Sequence, residues 1–300
     1  MLSAEHIKAA AAEAGFDLCG ITRARHLDER ERTFRRWLGE GRHSTLSYME
    51  RNTEKRFDAS LLVEGARTVI VCGVGYKSAL SEGSPAECRT KIASYAACDD
   101  YHIVIKDMLR DLSGRLRRRY PDLSGRAFVD TAPLSEKSYA VEAGLGWVGR
   151  QSLLVTPGFG SFVLLGELVV TDEADSYDAP FGGEGCGGCR ACVEACPGRA
   201  ILDNRTIDTS RCISCHTVER EAECGIDLDG WIFGCDACQS CCPYNRRAPL
   251  HANPRFDMRF DPRSMTAGQW RAMSEEEFVG RFGRTPLMRS GRRRIVSNIG

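Results

Sequence analysis

Long hydrophobic runs are missing from this 300-residue chain. The longest, Val69 to Val74 and Phe162 to Val170, fall far short of the ~20 apolar residues a membrane-spanning helix needs, so no membrane role is expected. The N-terminal stretch MLSAEHIKAAAAEAG has no basic segment followed by an apolar core, which points away from secretion and toward the cytoplasm. Net charge is missing as well: 41 basic residues balance 41 acidic ones, so no global field draws in nucleic acid. Neither a Walker loop nor a dinucleotide-binding glycine fingerprint occurs, which leaves flavin and nicotinamide sites without support. There is no solenoid repeat and no long low-complexity tract. What remains, 42% apolar and 27% charged, is a globular composition that excludes collagen-like, coiled-coil and mostly disordered classes.

Cysteine, by contrast, is abundant. Of 15 cysteines, 11 lie between Cys186 and Cys242; in a cytosolic protein such a cluster reads as metal binding before it reads as disulfides. CGGCRACVEACP (Cys186 to Pro197) is C-x2-C-x2-C-x3-C-P. Three thiolates at three-residue intervals can wrap one face of an iron–sulfur cubane, while the fourth points away to a second cluster. Structural zinc prefers two separated C-x2-C pairs, so this spacing counts against it. The second motif, GCDACQSCCPYN (Gly234 to Asn245), is irregular: Cys235, Cys238 and Cys242 keep the pattern, and Cys241 is extra. By symmetry Cys242 crosses to the first cluster. The second then holds Cys196, Cys235 and Cys238 and needs one more ligand from Cys212, Cys215, Cys224 or Cys241; spacing does not choose among them.

The expected fold class is α+β. Helices are expected over Ser3–Ala14, about Leu27–Glu40, Tyr101–Arg119 and Ser135–Ala143, each with a turn or breaker signal nearby. Strands are expected over Leu18–Ile21, Thr68–Tyr76, Ala127–Val129, Ser152–Thr156 and Ser161–Val170. An acidic, glycine-rich stretch, Thr171 to Gly185, separates this mixed α/β part from the cysteine-rich one. The resulting division is residues 1–175, 176–248 and 249–300, the last helical and basic, with six arginines and no acid from Arg281 onward.

Four stretches, TEKRFDASLLVEGARTVIVCGVGY, KIASYAACDDYHIVIKDML, VDTAPLSEKSYAVEAGLGWVGRQSLLVTPGFGSFVLLGELV and the cysteine-rich segment with RCISCHTVE, resemble the epoxyqueuosine reductases of tRNA queuosine modification. They cover about two thirds of the chain in order. The resemblance implies an N-terminal cobalamin-binding domain like that of reductive dehalogenases, followed by a ferredoxin-like module with two 4Fe–4S clusters. It assigns Cys186, Cys189, Cys192 and Cys242 to one cluster and Cys196, Cys212, Cys235 and Cys238 to the other, leaving Cys215, Cys224 and Cys241 spare. It places the proton donor at Asp130 and cobalamin contacts at Arg56, Asp130, Leu154, Leu165 and Ser214. Two departures stand out: Cys98 replaces the family's usual glycine, and Ser94 stands where an arginine is frequent.

The chemistry so implied reduces epoxyqueuosine to queuosine at the wobble position of a tRNA anticodon stem-loop, with an external electron donor feeding the clusters. Low-valent cobalt can gather electrons delivered singly and attack carbon, which no side chain can do. Read without the resemblance, Asp130 before a short helix is an N-cap; read with it, Asp130 must keep its proton near neutral pH, which calls for an apolar pocket. Glu136, Lys137, Glu142 and Arg150 read as a solvated helix face and its flanks, with Lys137 or Arg150 alternatively meeting RNA phosphate or cobalamin amides. The basic tail alone is a solvated helix terminus, and the resemblance makes its arginines phosphate contacts. The alternatives are a cobalamin-dependent reductase of a small molecule, such as a dehalogenase, and an electron-transfer iron–sulfur protein.

Overall fold

The computed structural model describes residues 1–85, 87–219 and 225–300, and the spare Cys224 lies outside them. Helix α1 (Ala4–Glu13) starts where the Ser3 hydroxyl caps the His6 N–H and stops before Gly15, at φ 89°. Strand β1 (Leu18–Arg23), helix α2 (Asp28–Gly39), the short α3 (Thr53–Phe57) and strand β2 (Thr68–Gly75) follow. After β3 (Lys91–Ile92), Asp100 caps α4 (Tyr101–Arg119). Then come β4 (Gly125–Phe128), α5 (Glu136–Glu142), the paired β5 (Trp147–Val148) and β6 (Leu154–Val155), and β7 (Val163–Val170).

The main sheet has order β1-β2-β7-β4, antiparallel throughout. Its central strand β2 is buried along its whole length because both faces are covered, which is why it reads as an apolar run rather than an alternation. Ile70, Cys72, Val74 and Leu168 pack under α1 and α4. Val69, Val71, Phe128 and Val169 pack on the opposite face with Tyr139 and Ala140 of α5. One charged residue interrupts this second face: Glu167, fully buried, lies opposite Val71 on one side and Phe128 on the other.

The cysteine-rich segment contributes α6 (Ala191–Glu194), β8 (Trp231–Phe233), α7 (Ala237–Ser240) and α8 (Pro243–Arg247). β8 pairs with β3 in parallel, so an early strand and a late one form a joint sheet. The tail supplies α9 (Ala267–Ala272), α10 (Glu275–Phe282) and α11 (Gly291–Ser297). Its apolar side chains build a third core with Ile92, Ala96, Ile232 and Phe233, centred on Trp270 stacked against Phe282 at 5.0 Å. Among the described residues no helix is long and apolar enough to cross a membrane.

Candidate active site and cluster cradle

Asp130 directly follows β4 and Val129, with φ at 50°, a left-handed conformation that Asp and Asn tolerate better than most side chains. It does not cap α5: Ser135 holds that position, with no side-chain cap bond. The carboxylate of Asp130 instead lines a recess of about 170 Å³ together with Tyr101, His102, Ser214, Glu219 and Arg289. Its Oδ2 accepts from Tyr101 Oη (2.9 Å), His102 Nε2 (3.0 Å) and Arg289 Nη1 (3.5 Å). The other ring nitrogen of His102, Nδ1, meets Asp100 Oδ1 at 2.8 Å.

A ring between two carboxylates is favoured as imidazolium. Burial works against that charge, but the hydrogen bonds to Asp100 and Asp130 outweigh it and raise the His102 pKa to about 9. For Asp130 burial pushes upward, and the hydrogen bonds from His102 and Tyr101 with the charges of His102 and Arg289 pull it below the usual range. The apolar pocket expected from the sequence is therefore not what surrounds this carboxylate. Near neutral pH the proton rests on His102, and Asp130 is its ionised partner.

The other expected cofactor contacts are dispersed. Ser214 shares the recess with Asp130. Arg56 holds the start of α5 through its carbonyl, which accepts from Ser135 N (2.7 Å), and its Nη2 donates to Tyr48 O (3.1 Å). Leu154 is buried in the second core, and Leu165 packs against it. Two donors, Arg56 Nε itself and Gln151 Nε2 close to Leu154 in sequence, are buried without a partner. Such orphaned donors suit a ligand rich in amide oxygens, so the side chains present fit a corrinoid.

The thiols fall into two quartets. Burial and the neighbouring thiols Cys186, Cys242 and Cys189 raise Cys192. Burial, then Cys235, Cys212, Asp236 and Cys196, raise Cys238. N–H donors surround them: Trp147 Nε1 to Cys186 Sγ (3.3 Å), Ala200 N to Cys196 Sγ (3.3 Å), and the amides of Ser214 and Cys215 at Cys212. Donors aimed at sulfur suit thiolate ligands of iron. Cys241 sits beside the first quartet, its thiol pushed up to about 11, mainly by burial. Cys215 is buried and lines the recess.

A family model described as "Epoxyqueuosine reductase QueG, DUF1730" matches residues 56–131, and a "4Fe-4S double cluster binding domain" matches residues 185–245. The epoxyqueuosine reductase of Cyclobacterium marinum is 40% identical over 290 residues, covering 95% of this chain and 91% of its own. The chain belongs to the epoxyqueuosine reductase family. It is an oxidoreductase with two 4Fe–4S clusters. The Pseudomonas aeruginosa epoxyqueuosine reductase is 34% identical over 303 residues, covering 99% of this chain and 83% of its own. A crystal structure of an epoxyqueuosine reductase with an epoxyqueuosine-modified tRNA-Tyr stem loop superposes with a TM-score of 0.87 at 26% identity, covering 98% of this chain and 79% of that one.

Several side chains take roles the sequence did not suggest. Ser94 donates from its N–H and hydroxyl to the buried Asp236 beside Cys235 (2.7 and 2.8 Å), tying the first domain to the second cysteine motif. Gly160, at φ 62°, leaves the space in which Asn245 Oδ1 accepts from Ser161 N (2.6 Å). Arg150 clamps the first motif through Cys189 O (2.7 Å) and Gly187 O (3.0 Å). Lys137 donates to Ser152 O (2.6 Å), Glu142 pairs with Arg25 (2.7 Å), and Glu136 accepts the Asp130 N–H.

In the basic tail, four of the six arginines bond within the chain. Arg284 pairs with Asp99, and Arg289 with Asp130 and Glu219. Arg292 donates to the carbonyls of Met273 and Arg271, and Arg294 to His216 O (2.6 Å). These four guanidiniums bond carbonyls and carboxylates within the chain, while Arg281 and Arg293 are exposed. Replacing Arg292 and Arg294 together by Gln is accordingly expected to lower stability by about 1–3 kcal/mol through lost charge-assisted bonds, read by denaturant titration. A folded variant with wild-type stability and a flattened salt dependence of RNA binding would restore the phosphate role.

Proposed function

We propose that the protein reduces the epoxide of epoxyqueuosine in a tRNA anticodon loop to the alkene of queuosine, in the cytoplasm. The observation that carries this reading is the Asp100–His102–Asp130 relay, which opens into a recess bordered by the Cys212–Glu219 segment of the cluster module. The reaction consumes two electrons and two protons and releases the oxygen as water. The cysteine quartets 186/189/192/242 and 196/212/235/238 are the ligand sets, fed by an external reductant one electron at a time. Cobalamin, held by Arg56, Asp130, Leu154, Leu165 and Ser214, would supply the low-valent, nucleophilic metal that a two-electron step at carbon requires. We divide the chain as a catalytic unit, 1–175, a cluster unit, 176–248, and a helical segment, 249–300.

The protein's own part is proton delivery. His102 Nε2 bonds Asp130 Oδ2 at the recess, so the imidazolium proton passes through the Asp130 carboxylate to the departing oxygen. Arg289 offsets the charge left on Asp130. The wobble base must be splayed out of the loop to reach the recess, as chemistry on a nucleobase requires.

The direct test is mass spectrometry of nucleosides from epoxyqueuosine-containing tRNA incubated with the reduced, fully loaded enzyme. Queuosine is the expected product, and unchanged epoxyqueuosine overturns the proposal. A pH dependence follows. With its pKa raised to about 9, His102 keeps its proton through neutrality and loses it as pH rises through that value. Single-turnover rate is expected to decline along that limb, and His102→Asn to remove the limb while lowering the plateau. A wild-type profile flat across this range would take His102 out of the relay.

A further inference from the structure

Behind Asp130 lies a second, buried pair of acids that the proton relay does not use. Glu167 is the lone charged residue of β7, fully buried, and neither carboxylate oxygen meets a hydrogen-bond donor. The carboxyl of Glu136, at the first turn of α5, faces it at hydrogen-bonding range. Two carboxylates cannot share that position without a proton between them. Glu136 Oε1 in turn accepts the backbone N–H of Asp130 at 2.6 Å, the residue held at φ 50°.

We propose that Glu136 and Glu167 share one proton and act as a latch that grips the Asp130 backbone, keeping its carboxylate in the recess. The inference rests on the reading of Asp130 as the proton donor. Burial raises Glu136 to about 7 and Glu167 well above the carboxylate range, so the pair holds its proton near neutrality and loses it on the alkaline side. The titratable groups facing the pair are Asp130 from the loop, Lys137 on α5 and, behind the sheet, Cys72 of β2. The Lys137 ammonium is committed to Ser152 O, and the same-face neighbours Val71 and Phe128 are apolar. Once the shared proton leaves, Lys137 is the cation left to face Glu136, Glu167 and Asp130, and its donor is already spent on Ser152 O. Glu136 is then repelled by Glu167 and by Asp130, and a strained left-handed residue loses the bond that holds it.

The test is hydrogen–deuterium exchange of the peptide spanning residues 128–135 in the fully loaded enzyme, between about pH 6 and about pH 9, corrected for intrinsic exchange. Wild type is expected to lose protection as pH rises beyond neutrality, where the pair gives up its shared proton. Glu167→Gln, whose amide can donate to Glu136 at every pH, is expected to keep the peptide protected throughout. Glu136→Ala is expected to raise exchange about tenfold at all pH values and to lower kcat with little change in KM for tRNA. Glu136→Gln, which retains an acceptor oxygen, should restore much of the protection. Unaltered exchange in Glu136→Ala, or the same pH dependence in wild type and Glu167→Gln, overturns the latch. Loosening of the peptide with undiminished turnover instead overturns Asp130 as donor and leaves the latch standing. Thermal stability gives a readout should turnover be lost. A carboxyl raised on folding favours the folded state below its unfolded pKa and loses that contribution as pH rises through its folded one. Glu167→Gln should therefore gain stability over wild type on the alkaline side, and a constant difference across pH counts against a shared proton.

Discussion

Asp130→Asn is expected to slow single-turnover reduction of epoxyqueuosine-containing tRNA by about 10²–10⁴, the usual worth of a positioned general acid, with iron content and tRNA affinity retained. The substitution is well tolerated by the local backbone. Asn is among the few residues that adopt φ near the observed 50°, its N–H can still reach Glu136, and its Oδ1 can still accept from Tyr101 and His102. What it lacks is a carboxylate that can take up the His102 proton and pass it on. Because Asp130 makes no cap bond to α5, the loss cannot be assigned to helix fraying. Pre-reduced enzyme in a single turnover separates this step from electron supply, and a wild-type rate in that assay would remove Asp130 from the mechanism.

The second large effect concerns iron. Anaerobically reconstituted protein is expected to bind about eight irons, two cubanes, and Cys212→Ser to fall toward about four with turnover lost. Cys212 belongs to the quartet with Cys196, Cys235 and Cys238, and it is the member contributed from outside the two cysteine motifs. Cys241→Ser is expected to keep the full complement. Its thiol borders the first quartet, but Cys186, Cys189, Cys192 and Cys242 already supply four sulfurs there. Full iron in Cys212→Ser with loss in Cys241→Ser would reverse the assignment; elemental analysis and the spectrum of the reduced clusters decide it.

Much of this was legible in the chain because the signals are local. The helix over Tyr101–Arg119 has a capping Asp100, an apolar stripe and a closing Pro121, and it forms over those residues. The C-x2-C spacing likewise confines thiols to one small volume whatever surrounds them. The relay was not legible, since His102 acquires its meaning from Asp130, 28 residues away and across a sheet edge. Glu167 did leave a trace, a single carboxylate in an otherwise apolar run, VLLGELVV, but nothing in the run names Glu136 as its partner. The internal bonds of the tail were hidden for a related reason. Charge counts cannot tell an arginine facing solvent from one whose donors are consumed by carbonyls such as Met273 O and His216 O.

The parallel pairing of β3 with β8, and the core that joins Ile92 and Ala96 to Trp270, Ile295 and Ile299, bear on how the protein is made. Domains generally fold in order as the chain leaves the ribosome. Here the four-stranded sheet has every strand by Val170, yet the apolar seat around Ile92 must wait until residues out to Ile299 have been synthesised. During that interval both cysteine motifs have already been synthesised while the core that packs on Ile232 and Phe233 beside the second is incomplete. Strand β8, which leads into the second cysteine motif, thus gains its full packing only after that motif has left the ribosome.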